Sequence, residues 1–251
     1  MNNDSASSFP SHAPEGESRT GSVALAARLR NLILSGAFPP GSTVSQGELA
    51  AKLQAGRTPL REAIRLLQQE GLLQAELNQR VRIPDFDPQV VDALYATRIV
   101  QEALGVQLTV PRLTAHTLTI GEAILQEMET AVRNDDQVAW QEAHRRFHRL
   151  LVSHAGEYLE RMIVNYADRC EYYWQMYYRD NRETASPVAS WEVIQYEHRS
   201  LLEAYQQRDA PLAVRRLAQH LSRTAFAVLT HTAPTYDPVA IDAALRLIAS
   251  P

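Results

Sequence analysis

Cysteine is almost missing from the chain. Cys170 stands alone, so no intramolecular disulfide can form, which fits a reducing compartment. The opening is not expected to be a secretory leader either. The opening MNNDSASSFPSHAPEGESRTG has neither a basic start nor an apolar stretch, and a signal peptide needs both. No apolar run reaches the roughly 20 residues of a membrane-spanning helix. Together these absences predict a cytoplasmic protein with no membrane partner. There is no repeat of fixed period, which excludes a solenoid. Beyond residue 84 no convincing strand pattern remains.

What is present is ordinary in amount and uneven in placement. A chain of 251 residues can bury one large core or two smaller ones. Its 45% hydrophobic and 22% charged residues place it among globular proteins. The Ser/Pro/Gly-rich opening is expected to be a disordered tail over 1–21. Residues 22–84 hold eight Lys and Arg against four Asp and Glu, a net +4. Residues 85–251 hold sixteen against twenty-two, a net −6. A basic first part joined to an acidic second part suggests that only the first meets a polyanion. An excess of this size also arises by chance.

The first part reads as three short helices and a hairpin. One helix is expected over Val23–Ser35, stopped by Gly36. PPG at 39–41 is a turn. Ser45 and Glu48 form a capping box that opens a second helix to about Leu53. In GRTPLREAIRLLQQEG, Thr58 suits the N-cap, Pro59 the first helical position and Gly71 the residue past the end. LLQA and RVRI flank Asn78-Gln79 as a hairpin. That outline is a winged helix-turn-helix domain over 22–84. PDFDP at 84–88 is a linker. Helical patterns follow at about 88–110, 114–133, 137–154, 157–180, 190–208, 211–231 and 238–249. The fold class is mainly α: an N-terminal winged domain and a C-terminal all-α bundle over 85–251.

Within the third helix, Leu60, Ala63, Ile64 and Leu67 make one apolar stripe. Arg57, Arg61 and Arg65 recur every fourth residue on another side. Such a helix can rest on its core and enter the DNA major groove, where Arg bonds guanine O6 and N7 together. Thr58 at the helix start lies where base edges or a phosphate would be met. A merely solvated arginine face has the same spacing.

GAFPPGSTVSQGELAAKL followed by GRTPLREAIRLLQQEGLL resembles the N-terminal domain of the GntR family of bacterial transcription regulators. The resemblance implies that Arg57, Thr58 and Arg61 contact operator DNA. Two positions depart from the family pattern. Gly56 stands where Ser is usual, and Arg80 stands at a wing glycine. Arg80 is therefore expected to reach the minor groove with its side chain.

In 137–154, Trp140, His144, Phe147 and Leu151 recur on one side, with His148 beside them. Ile194, His198, Leu201 and Tyr205 recur likewise, as do Leu217, His220, Thr224 and Val228. Four of the eight histidines thus lie on the inward stripes of three helices. Buried imidazoles need partners, and several protonated together would repel. One shared divalent metal meets both needs. Four separate core histidines, each bonded to a carbonyl, fit the same spacing.

Residues 88–231 resemble the FCD ligand-binding domain of the FadR-type branch of the same family. The residues that carry this are Arg98-Ile99-Val100-Gln101-Glu102, RRFH ending in His148, Glu197-His198, and His220. The resemblance implies a metal held by His144, His148, His198 and His220, with His144 where metal-binding members have Asp. Four neutral imidazoles leave a divalent charge uncompensated. This favours an anionic effector and a transition metal, Zn²⁺ or Ni²⁺ before Mg²⁺. A small carboxylate or sugar acid beside the metal is implied, with Arg98 to clamp it. Arg98 can instead pair with Glu102 four residues on. The aromatic run YYWQMYY at 172–178 either lines a pocket or packs between helices.

The sequence is thus read as that of a homodimeric regulator, more often a repressor, on a short palindromic operator. The rival is a metal-dependent all-helical enzyme fused to a DNA-binding domain. It lacks H-E-x-x-H and an evident carboxylate base.

Overall fold

Ten α-helices and one small sheet make up the regular structure of residues 15–180 and 191–249, the part of the chain this computed structural model describes. The chain divides after Asp85 into two units. In the first, Leu25, Leu29 and Ile33 recur every fourth residue on α1 (Glu15–Leu34) and are buried. This helix begins at Glu15, upstream of the expected Val23, and so takes in residues 15–21 of the expected tail. The rest of the expected disordered tail, 1–14, lies outside the described residues.

Ser45 caps α2 (Gln46–Leu53) through the expected box: its hydroxyl accepts from the Glu48 amide, and the Glu48 carboxylate accepts from the Ser45 amide. Helix α3 (Arg57–Gln69) buries Leu60, Ala63, Ile64 and Leu67 against α1 and α2. Each large side chain so buried contributes roughly 1.5–3 kcal/mol. The cap of α3 is Gly56 and not Thr58, and no side chain bonds the helix start. Pro59 lies within the first turn, where its absent N–H leaves no bond unmade. Gly71 ends the segment at φ 75°, as a glycine past a helix end should.

The hairpin strands β2 (Gln74–Glu76) and β3 (Arg80–Arg82) form with Asn78 and Gln79 left-handed at the turn. A strand unmarked in the sequence, β1 (Thr43–Ser45), completes an antiparallel sheet of order β1-β3-β2, with Val44 and Ala75 both opposite Val81.

The second unit is all-α among its described residues. It consists of α4 (Pro88–Thr109), α5 (Ala115–Arg133), α6 (Gln137–Leu151), α7 (Glu157–Asp180), α8 (Trp191–Gln206), α9 (Ala210–Thr232) and α10 (Val239–Ala249). Side-chain caps start four of them: Asp87, Thr114, Asp136 and Asp209 each accept from a backbone amide of the following turn. Helix α4 runs among α7, α9 and α10, while α5 lies on α6 and α8. Gly105 permits one close approach, since a Cβ there would stand 2.7 Å from Val152. Asp92 on α4 is buried and accepts from the Tyr236 hydroxyl and the Ala240 and Ile241 amides. It thereby fixes the start of α10.

Candidate metal centre and DNA-reading surface

The expected histidine stripes all turn inward. Trp140, Phe147 and Leu151 on α6, Ile194, Leu201 and Tyr205 on α8, and Leu217 and Val228 on α9 are buried. Each helix carries its histidines into the same space. One ring nitrogen each from His144, His148, His198 and His220 lies within 4.8 Å of the others. His198 is fully buried, and neither of its ring nitrogens has a hydrogen-bond partner; the same holds for Nε2 of His148. Buried nitrogens in this state are costly unless something accepts their lone pairs. Burial drives His144 and His198 well below the usual imidazole range, and the neighbouring histidines add to it. Burial pushes His148 down to about 4, against the upward pull of Glu102. His144, His148 and His198 are therefore neutral near pH 7 with lone pairs available, which is the state a metal ligand needs. The donor set fits a divalent cation, and the cluster could hold one.

Carboxylates stand behind the rings. His148 Nδ1 lies 3.4 Å from Glu102 Oε2, and His220 Nδ1 lies 2.9 Å from Glu197 Oε2. Glu171 Oε2 is 3.9 Å from His144 Nδ1. A carboxylate on one ring nitrogen fixes the tautomer and leaves the other nitrogen to coordinate. Sequence reasoning assigned none of these three a part in the centre. Glu102 was legible only as a partner for Arg98, and Glu197 only as a neighbour of His198. Their presence revises the expectation of four imidazoles with no negative charge near them. Arg98 and Arg223 offset part of that charge, since Arg98 Nε donates to Glu102 and Arg223 lies 2.5 Å from Glu197. Burial pushes the Glu102 carboxyl up, but Arg98 and His148 outweigh it and hold it at about 2.

Arg98 is buried and paired with Glu102, and its Nη2 also comes within 3.5 Å of His148. It lines two cavities that flank the cluster. One is bounded by Arg145, Arg149, Ile163 and Val164. The other is bounded by Tyr95, Trp140, Trp174 and Ile194. His144 and Glu171 line both. In the aromatic run, Tyr172, Tyr173, Trp174 and Tyr177 are all buried. Tyr173 meets Phe86 edge-on and Tyr177 meets His231, so these two pack between elements. Trp174 reaches a cavity wall.

On the first unit, Arg57, Thr58, Arg61 and Arg65 are exposed on α3, away from its buried stripe. None of the three arginines forms an ion pair among the described residues. Arg80 is exposed at the start of β3, past the Asn78-Gln79 tip, and its Nη2 donates to the Thr43 carbonyl at 3.2 Å. Leu77 is the large apolar side chain exposed beside the tip. No helix among the described residues is long and apolar enough to cross a membrane.

Residues 22–83 match the family described as bacterial regulatory proteins, gntR family, and residues 93–223 match the FCD domain. The chain is 28% identical over 199 residues to the HTH-type transcriptional regulator YdhC of Bacillus subtilis, covering 78% of this chain and 85% of that one. It is 26% identical over 202 residues to the HTH-type transcriptional repressor GlaR of Escherichia coli, covering 77% and 89%. The structure of E. coli McbR/YncC superposes with a TM-score of 0.75 at 21% identity, over 84% of this chain and 98% of that one. That likeness speaks for the fold. The relatives are regulators, and none of them supports the enzyme alternative.

Proposed function

The chain belongs to the GntR family of DNA-binding transcriptional regulators and carries an FCD domain; from that premise we propose that it is a homodimeric repressor whose grip on a short palindromic operator is set by a small acid bound beside a metal ion. Regulators of this family bind operator DNA, usually as dimers, and the FCD domain is their ligand-binding part. Residues 22–84 read DNA in this proposal, and 85–251 hold metal, effector and the partner subunit.

The observation that carries the proposal is the convergence of four imidazoles, three of them buried, on one space beside Arg98. His144, His148, His198 and His220 would hold the ion. An all-imidazole set favours Zn²⁺, with Ni²⁺ next, over Mg²⁺. The ion would supply a Lewis-acidic, positively charged seat for a carboxylate. Glu102 and Glu197 orient His148 and His220 for it through their ring nitrogens. Arg98 would receive the effector carboxylate with the N–H groups it does not give to Glu102. A carboxylate entering there competes with Glu102, and movement of that pair shifts α4, the helix at the centre of the unit.

On DNA, Arg57, Arg61 and Arg65 face the major groove, with Thr58 at the helix start on a base edge or phosphate. Two-fold symmetry of the dimer makes the operator palindromic. Arg80 serves the wing contact once it leaves the Thr43 carbonyl. The test is metal analysis of untagged protein, together with gel shifts on the operator with and without a panel of hydroxy acids and sugar acids. The expected result is about one ion per chain and an acid that changes operator affinity. Metal-free protein whose stability ignores chelator, with no acid altering DNA binding, would sink the proposal.

A further inference from the structure

Part of the lining of the second cavity is aromatic. Tyr95, Trp140 and Trp174, all buried, line it. Ile194 adds apolar surface, and Arg98 and His144 line the polar end. Trp140 contributes something further. Its ring stacks on His144 with centroids 4.6 Å apart and planes at 13°. Its Nε1 is buried without a hydrogen-bond partner. An indole N–H left in that state is uncommon and marks a place where a missing acceptor belongs.

From this we infer that the effector is a planar aromatic carboxylate, its ring against Trp140, Trp174 and Tyr95, its acid group toward Arg98 and His144, and a ring oxygen accepting from the Trp140 N–H. The inference rests on the reading of the C-terminal unit as the effector-binding part. It differs from a sugar acid in what the walls can satisfy. A sugar acid brings a hydroxyl on nearly every carbon, and each one buried without a partner is penalised. Among the fully buried polar atoms of the described residues on this wall, Trp140 Nε1 is the donor without a partner. Thr224, also on this cavity, already gives its hydroxyl to the His220 carbonyl. A flat ring needs no such partners and gains offset or edge contacts with three aromatic neighbours. A hydroxyl on that ring can accept from the Trp140 N–H.

The test is calorimetric titration of the Zn²⁺-loaded full chain with benzoate, its three monohydroxy isomers and gluconate. Benzoate and at least one isomer are expected to bind about tenfold more tightly than gluconate, the discrimination typical of a matched apolar pocket. Trp140→Phe keeps a ring on His144 and removes the N–H. The tightest isomer should then weaken about tenfold, as for one lost hydrogen bond of ordinary strength, while benzoate changes little. Trp174→Ala should weaken benzoate and the hydroxybenzoates alike. Gluconate binding above every benzoate would overturn the aromatic assignment and leave the acid-binding reading standing. No binding by any of the five acids, in protein that retains its metal, would bring down both. Equal loss of benzoate and hydroxybenzoate in Trp140→Phe would remove the N–H contact.

Discussion

The two units treat charge in opposite ways. On α3 the arginines at 57, 61 and 65 stand exposed with no ion pair among the described residues. In the second unit Arg98, Glu102 and three of the four histidines are buried, and the charged groups among them are paired. An exposed guanidinium costs nothing to fold and stays available to a phosphate or a base. A buried one must be compensated within the fold, so it comes as part of a set. The first arrangement suits a partner that arrives already polyanionic. The second suits a small ligand that must displace something already in place.

The sharpest way to break this comparison is to remove one member of a buried set. Glu102→Ala strands the Arg98 guanidinium and should cost about 3–5 kcal/mol, read as a lower urea midpoint. The part-buried pair Arg30–Glu70, at 24% and 27% side-chain exposure, is the control from the first unit. Arg30→Ala should cost no more than about 1 kcal/mol. Equal losses would erase the distinction between the units. Next in size is the metal. His198→Ala should lose most of the bound ion, whereas His144→Asp should keep it. Chelator should remove about 2.7 kcal/mol of stability if the ion is present at a hundredfold over its Kd. A melting curve unmoved by chelator in protein shown to hold metal would contradict this.

How much of this was legible in the sequence depends on how local the signal is. The α6 and α9 stripes could be read because a period of 3.6 residues repeats within one element. The capping box at Ser45 and Glu48 could be read because it spans one turn. Strand β1 could not, since three residues carry no alternation and their partner, β3, lies far along the chain. Thr58 was misjudged as the cap because Gly56 has no side chain to advertise the role. The glutamates behind the rings escaped for a different reason. Glu197 lies on α8 and reaches a histidine on α9, a pairing set by helix packing that no spacing rule encodes. The turn at Asn78-Gln79 and the strand that Arg80 opens were legible, because a hairpin signal is local.

On the exposed side the effects are smaller and should leave folding alone. Arg61→Ala should weaken operator binding by about 1–3 kcal/mol if bidentate to guanine, with stability unchanged. A gel shift that shows the same loss on a scrambled sequence would reduce the role to phosphate contact. Smallest is Arg80→Gly. Its side chain must leave the Thr43 carbonyl before it can enter a groove, which costs about 1 kcal/mol. The net change should appear only as a weaker preference for A·T steps flanking the half-sites. Unaltered flank preference would remove Arg80 from the wing contact.

The stacking of Trp140 on His144 also gives the molecule an optical property. Trp140, Trp174 and Trp191 are the three tryptophans of the chain, and all lie beyond Asp85. Indole emission therefore arises wholly from the second unit. An open-shell ion such as Cu²⁺ or Ni²⁺ on His144 would sit within contact range of an indole face and quench it, whereas filled-shell Zn²⁺ would leave the emission intact. The unmodified protein would thus report by its own light which ion it had been loaded with.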